Sequence, residues 1–135
     1  MDIASRFEML ETVQTVLTHV AGLLGFDDDA THYMSVAVRE SVVNAIKHGN
    51  LLDESKRVAL EFILHSDSLE VQVRDQGRGF DPGDVPSPLA EENLLKPAGR
   101  GIFFMRSFMD EVSYSFSPGG GTLVKMVKRR APAQA

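Results

Sequence analysis

Three residues four apart stand out first: Glu40, Asn44 and His48. On an α-helix, steps of four drift by only about 80° in total, so the three side chains share one polar stripe. Val38, Val42, Ala45 and Ile46 fall on the opposite side. An amide oxygen on Asn44 suits a hard cation such as Mg²⁺, which keeps much of its water shell. Glu40, one turn away, has the chemistry of a general base for a hydroxyl or a water. By spacing alone the same stripe also describes the wet face of an amphipathic helix.

A second group is Asp75-Gln76-Gly77-Arg78-Gly79-Phe80, an Asp-x-Gly-x-Gly-Phe pattern at the end of a strand-like segment. A carboxylate there can accept from an exocyclic amine such as that of adenine, and glycines let the backbone approach a flat ligand. Taken alone, the pattern also fits an ordinary turn. The third group, Gly99-Arg100-Gly101-Ile102, opens a helical segment, and exposed N–H groups at such a point bind phosphate. A plain loop-to-helix junction reads the same way. This is not a Walker A loop, which needs Gly-Lys-Ser/Thr, and Gly77–Gly79 does not lead directly into a helix as a Rossmann fingerprint does. The fourth group is Gly119-Gly120-Gly121-Thr122: turn glycines, then a threonine whose hydroxyl can reach a purine site or simply belong to a strand.

The surrounding pattern sets the elements that must carry these groups. Ser5 with Glu8 reads as a capping box. Phe7, Leu10, Val13, Val16, Leu17, Val20, Leu23 and Leu24 then recur at helical spacing, and Gly25 ends the helix. Asp27 to Asp29 cap a second helix that runs to Gly49. Val58, Leu60, Phe62 and Leu64, then Leu69, Val71 and Val73, alternate as two strands joined by a short polar link. Residues 77–98 hold Gly77, Gly79, Gly83, Pro82, Pro86, Pro88 and Pro97 and read as a long loop, with a lid at about 80–98. A third helix is expected from about 99 to 109, then strands at 111–117 and 122–128 joined through 118–121. The order α-α-β-β-loop-α-β-β predicts one domain over 1–135. Its fold class is an α/β (α+β) two-layer sandwich, a mixed, mostly antiparallel sheet with helices on one face.

Composition narrows the classes. The chain has 135 residues, enough for one domain with a sizeable core, and a net charge of −5. Basic residues cluster only at 125–130, so a broad nucleic-acid surface is not expected. The absence of cysteine excludes disulfides, thiolate metal sites and a cysteine nucleophile. No apolar run approaches the roughly 20 residues of a membrane span, and the first residues lack the order of a signal peptide. A soluble, cytoplasmic protein with no membrane partner is the expectation.

The order of the blocks is more specific than any one of them. Glu-x₃-Asn-x₃-His-Gly, then Asp-x-Gly-x-Gly-Phe, a long loop, Gly-x-Gly and Gly-Gly-Gly-Thr resembles the Bergerat-fold ATPases, the superfamily of histidine kinases, heat-shock chaperone ATPases, type II topoisomerases and mismatch-repair ATPases. Within it, residues 41–49 and 101–112, with their Phe108-Met109-Asp110-Glu111-Val112 run, are similar to bacterial anti-sigma-factor serine kinases of the RsbW and SpoIIAB type. The resemblance implies ATP or ADP and Mg²⁺ as cofactors, with Asn44 on the metal and Glu40 as the base. It implies Asp75 on the adenine amine, Thr122 supporting that end, and Gly77, Gly79 and Phe80 shaping the pocket and lid hinge. It places Gly99, Arg100, Gly101 and Ile102 at the phosphates, flanked by Lys47 and His48. The implied partners are a sigma factor and an anti-anti-sigma protein of the STAS type, phosphorylated on serine, with a homodimer as the usual assembly. A nucleotide-binding switch without kinase activity, or a histidine-kinase-like catalytic fragment, stands as the alternative. Relatives usually begin with a short strand, for which only Met1-Asp2-Ile3 is available here, and the lid is unusually rich in proline. Arg100 is an extra charge at the phosphate loop.

Overall fold

A computed structural model describes residues 1–77, 105–117 and 120–130. Strand β1 (Asp2–Ala4) leads through a 3₁₀ turn at Phe7–Met9 into helix α1 (Leu10–Leu23), which is followed by α2 (Asp28–Asn44). A π-helical turn at Ala45–Gly49 extends α2. The remaining strands are β2 (Arg57–Leu64), β3 (Ser68–Arg74), β4 (Glu111–Phe116) and β5 (Thr122–Arg129). Residues 105–108 are helical, in agreement with the end of the expected third helix. Its start, the lid and the residues Gly79, Phe80, Gly99, Arg100, Gly101 and Ile102 lie outside the described residues.

The five strands form one sheet in the order β1-β2-β3-β5-β4, and every described pairing is antiparallel. Register puts Leu60, Val73, Val124 and Tyr114 in one row across the sheet, and Phe62, Val71, Met126 and Val112 in the next. These rows pack with Val13, Leu17 and Ala21 of α1 and Met34, Ala37, Val38 and Val42 of α2 in a single apolar cluster. The other side of the sheet alternates to polar groups such as Gln72 and Lys125, so among the described residues the helices cover one face, as in a two-layer sandwich.

The α1–α2 junction follows from its residues. Gly25 takes φ +80, Phe26 N–H donates to Ala21 O at 3.1 Å and Gly25 N–H to Gly22 O at 3.1 Å. That is the left-handed C-terminal motif for which glycine is preferred. The Asp27 side chain then accepts from Ala30 N–H at 2.7 Å, the expected cap of α2.

Two expectations near the N-terminus change. Ser5 does not cap a helix: its hydroxyl donates to Lys56 O at 2.7 Å, and the helix that follows starts without a side-chain cap. The short N-terminal segment nonetheless pairs as β1, with Ile3 opposite Val58 and buried. The apolar spacing of the first helix buries Leu10, Val13 and Leu17, while Phe7 and Leu23 at its ends stay exposed. No helix among the described residues is long and apolar enough to cross a membrane.

Candidate functional site

Three chain segments meet where β3 ends and β5 begins: the end of β3, the start of β5 and the turn that follows α2. Antiparallel pairing of β3 with β5 carries Asp75, the residue just past β3, beside Thr122, the first of β5. Asp75 N–H donates to Thr122 O at 3.1 Å. The Asp75 carboxylate turns inward, 7% exposed, and its Oδ1 accepts from Gly77 N–H at 2.9 Å and Thr122 N–H at 3.1 Å. Among the described residues no donor reaches Oδ2, so one carboxylate oxygen is committed to the backbone and the other has acceptor capacity left. Burial pushes the Asp75 carboxyl above the usual carboxylate range, against the opposing pull of the two N–H donors and the Lys56 charge. A buried carboxylate left to itself is costly, and an amine donor arriving at Oδ2 offsets that cost.

Glycine is required here by close approach. The Cα of Gly49 packs on the Asp75 carboxylate, and a Cβ at 49 would overlap its Oδ2 and Cγ. A Cβ on Gly77 would overlap the Gly49 carbonyl. Gly121, at φ +91, lies so that a Cβ would come within 2.6 Å of Asp75 O. Its N–H donates to Gly77 O at 2.8 Å. The glycines read as turn chemistry at 119–121 thus include one that belongs to the site. The same holds for Gly49, which the sequence presents as a helix terminus.

Glu40 and Asn44 sit on α2, both half-buried, one turn or roughly 6 Å apart along the axis. Val38, Val42, Ala45 and Ile46 are buried, as the pattern predicts. His48 does not continue the stripe at α-helical pitch. It lies with Lys47 in the π turn, where hydrogen bonds run i to i+5, and both side chains are exposed. The turn closes through Asn50 N–H to Ala45 O at 2.7 Å. Its effect is to bring Gly49 against Asp75, joining the helix that bears Glu40 and Asn44 to the mouth of the sheet. Thr122 meets Asp75 through its main chain on both N–H and C=O.

The donor set can be compared with Mg²⁺ and a nucleotide. No group of His, Cys, Asp or Glu among the described residues forms a metal cage. A single amide oxygen on Asn44 instead fits a hydrated hard cation that arrives with phosphates, which is how Mg²⁺ is usually held. The inward carboxylate, with one oxygen unclaimed among the described residues, fits an amine-bearing base.

Comparison with known proteins identifies the family and the fold. Residues 3–128 match the family model described as histidine kinase-like ATPase domain. A serine-protein kinase RsbW of Bacillus licheniformis is 30% identical over 127 residues, 90% of this chain and 78% of that protein. The RsbW of Halalkalibacterium halodurans is 28% identical, over 95% of this chain and 80% of its own length. The crystal structure of RsbU and RsbW domains from Mycobacterium tuberculosis superposes with a TM-score of 0.67 at 20% identity. That match covers 99% of this chain and 33% of the longer one. A histidine kinase domain from Erythrobacter litoralis gives a TM-score of 0.57 at 20% identity, over 94% of this chain and 61% of that one. The chain belongs to the histidine kinase-like ATPase domain family, and within it to the group of RsbW-type serine-protein kinases.

Proposed function

We propose that this protein binds Mg-ATP at the mouth of its sheet and transfers the γ-phosphoryl group to a serine of a STAS-type anti-anti-sigma protein. In its other role it sequesters a sigma factor until the unphosphorylated antagonist displaces it. The observation that carries the reading is the buried Asp75 carboxylate, held by Gly77 and Thr122 with Oδ2 unclaimed among the described residues, beside the end of the helix that bears Asn44 and Glu40.

Each residue has a task in that reading. Asp75 Oδ2 accepts from the exocyclic amine of adenine, while Gly49, Gly77 and Gly121 allow the backbone to close around it. Thr122 supports the same end through the hydrogen bonds its main chain makes to Asp75. The Asn44 amide oxygen holds the metal, with Lys47 and His48 on the phosphate side. Glu40 takes the proton from the acceptor serine as the bond to its oxygen forms and the bond to the β-phosphate oxygen breaks. The bound metal nucleotide supplies the phosphoryl group and neutralises developing charge, and the rest of catalysis is positioning. Gly79, Phe80, Gly99, Arg100, Gly101 and Ile102 complete the pocket, lid hinge and phosphate loop. A homodimer and a cytoplasmic setting accompany this function.

The test is transfer of labelled phosphate from ATP to a cognate STAS-domain antagonist. Wild-type protein gives an acid-stable phosphoserine product. Glu40→Ala retains ADP binding and loses on the order of a hundredfold or more in transfer rate, the size of a general-base contribution. An acid-labile product would instead indicate a histidine acceptor. Intact ADP binding with no transfer, and sigma-factor binding that survives Glu40→Ala, would leave the protein a nucleotide-binding switch.

A further inference from the structure

Asn50 has no part in the scheme above, yet its side chain is fully buried, at 0% exposure. Its Nδ2 donates to Ser5 Oγ at 2.8 Å and to Arg57 O at 3.1 Å. Its Oδ1 accepts from Gln76 N–H at 2.8 Å. These bonds go to three different places: the exit of β1, the start of β2 and the residue after Asp75. The partners are tied in turn. Ser5 Oγ donates to Lys56 O at 2.7 Å, and Arg57 N–H donates to Gln76 Oε1 at 2.6 Å.

The position of this network relative to Asp75 gives it a consequence. On one side of Asn50 in sequence is Gly49, whose backbone rests on the Asp75 carboxylate. Through space, Asn50 holds Gln76, which lies between Asp75 and the Gly77 N–H that fixes Oδ1. Asn50 therefore grips the Asp75 carboxylate from both the helix side and the strand side. The side-chain chemistry is demanding: two donated bonds and one accepted bond at short reach in a fully buried position. Aspartate lacks the donors, serine has one, and glutamine is longer by a methylene. The chain also leaves this point through two non-glycine residues at positive φ, Leu51 at 53° and Leu52 at 63°. Such backbone persists where surrounding bonds over-determine it.

We propose that Asn50 is a positioning residue for base recognition: it sets Asp75 Oδ2 to receive an exocyclic amine and so sets the preference for 6-amino over 6-oxo purines. The inference rests on the nucleotide reading above.

The experiment compares dissociation constants for ADP and IDP, each with Mg²⁺, by calorimetry, together with thermal melts. Wild-type protein and Asn50→Asp, Asn50→Ala and Ser5→Ala are measured. Wild type binds ADP more tightly than IDP. A folded Asn50 variant loses about tenfold in ADP affinity, the scale of a hydrogen bond to a charged acceptor, while IDP changes little, so the ratio falls toward one. A folded Asn50 variant that keeps the wild-type ratio, whatever its melting temperature, overturns the proposal, because a purely structural residue lowers both affinities together. If neither Asn50 variant folds, Ser5→Ala decides it. There a reduced ratio supports the proposal and an unchanged ratio overturns it. Wild-type protein that binds neither nucleotide overturns the nucleotide reading itself and this inference with it, a result distinct from the unchanged ratio.

Discussion

Asp75 shows how one side chain can be costly for the fold and useful for the site. Burial raises its carboxyl pKa above 3.8, against the two N–H donors and Lys56. A raised carboxylate pKa means the folded chain holds the proton more tightly than the unfolded chain. The contribution of Asp75 to stability therefore falls as pH rises from about 3.8 through the folded pKa, and stays unfavourable above it. Asp75→Asn keeps an acceptor for Gly77 and Thr122 and removes the charge. Melts over a pH series are expected to show a neutral-pH melting temperature equal to or above wild type, with a flatter pH dependence on the acid side. ADP affinity falls at least tenfold in the same variant, because an amide N–H₂ then faces an amine. Gly77→Ala tests the close approach. Its Cβ overlaps the Gly49 carbonyl, so calorimetry is expected to show ADP binding weakened by more than tenfold. Ser41 makes the opposite case. Its Oγ is buried with no hydrogen-bond partner among the described residues. Ser41→Ala is expected to raise stability by about 1 kcal/mol in denaturant titrations, the cost of an unsatisfied hydroxyl.

At the scale of elements, the end of α2 is where local rules give way. The α-helical pitch stops at Asn44, a π turn follows, and Leu51 and Leu52 exit at positive φ with 66% and 55% exposure. Leucine in that conformation costs roughly 1 kcal/mol, and asparagine tolerates it better. Leu51→Asn is expected to stabilise the fold by about 0.5–1 kcal/mol by chemical denaturation. These features explain what was legible in the chain. The buried side of α2, the Asp27 cap and the Gly25 terminus follow from local spacing and local hydrogen bonds, so they can be read directly. The β2–β3 hairpin and the β4 and β5 strands follow from alternation. Ser5 was legible only as a cap, because its real partner, Lys56 O, lies 51 residues away. The π turn was not legible at all. Nothing in periodicity announces it, and it exists where Gly49 meets Asp75, a contact between distant segments. Asp75, Gly77 and Thr122 stood out because each belongs to a compact motif. Gly49 and Gly121 were legible only as a helix terminus and a turn glycine, and Asn50 had no legible role, because their contacts arise only when the chain folds back on itself.

For the whole molecule, one apolar cluster joins α1 and α2 to the five described strands. The site sits at one end of that layer pair, at the junction of α2, β3 and β5, so a ligand there binds the folded state and not the unfolded chain. Saturating nucleotide should stabilise the fold by mass action, about 2.7 kcal/mol at a hundred times the dissociation constant. Amide exchange should slow at Asp75–Gly77 and Gly121–Thr122 first, as these groups line the contact. The central claim is that the end of α2 and the mouth of the sheet converge on a single Mg-nucleotide. Isothermal calorimetry with ADP and Mg²⁺, run on wild type and Asp75→Asn, tests it most directly. One saturable site per chain in the wild type, lost or weakened at least tenfold in the variant, is the expected result. No heat in the wild type at millimolar nucleotide, or equal binding by both proteins, would contradict it.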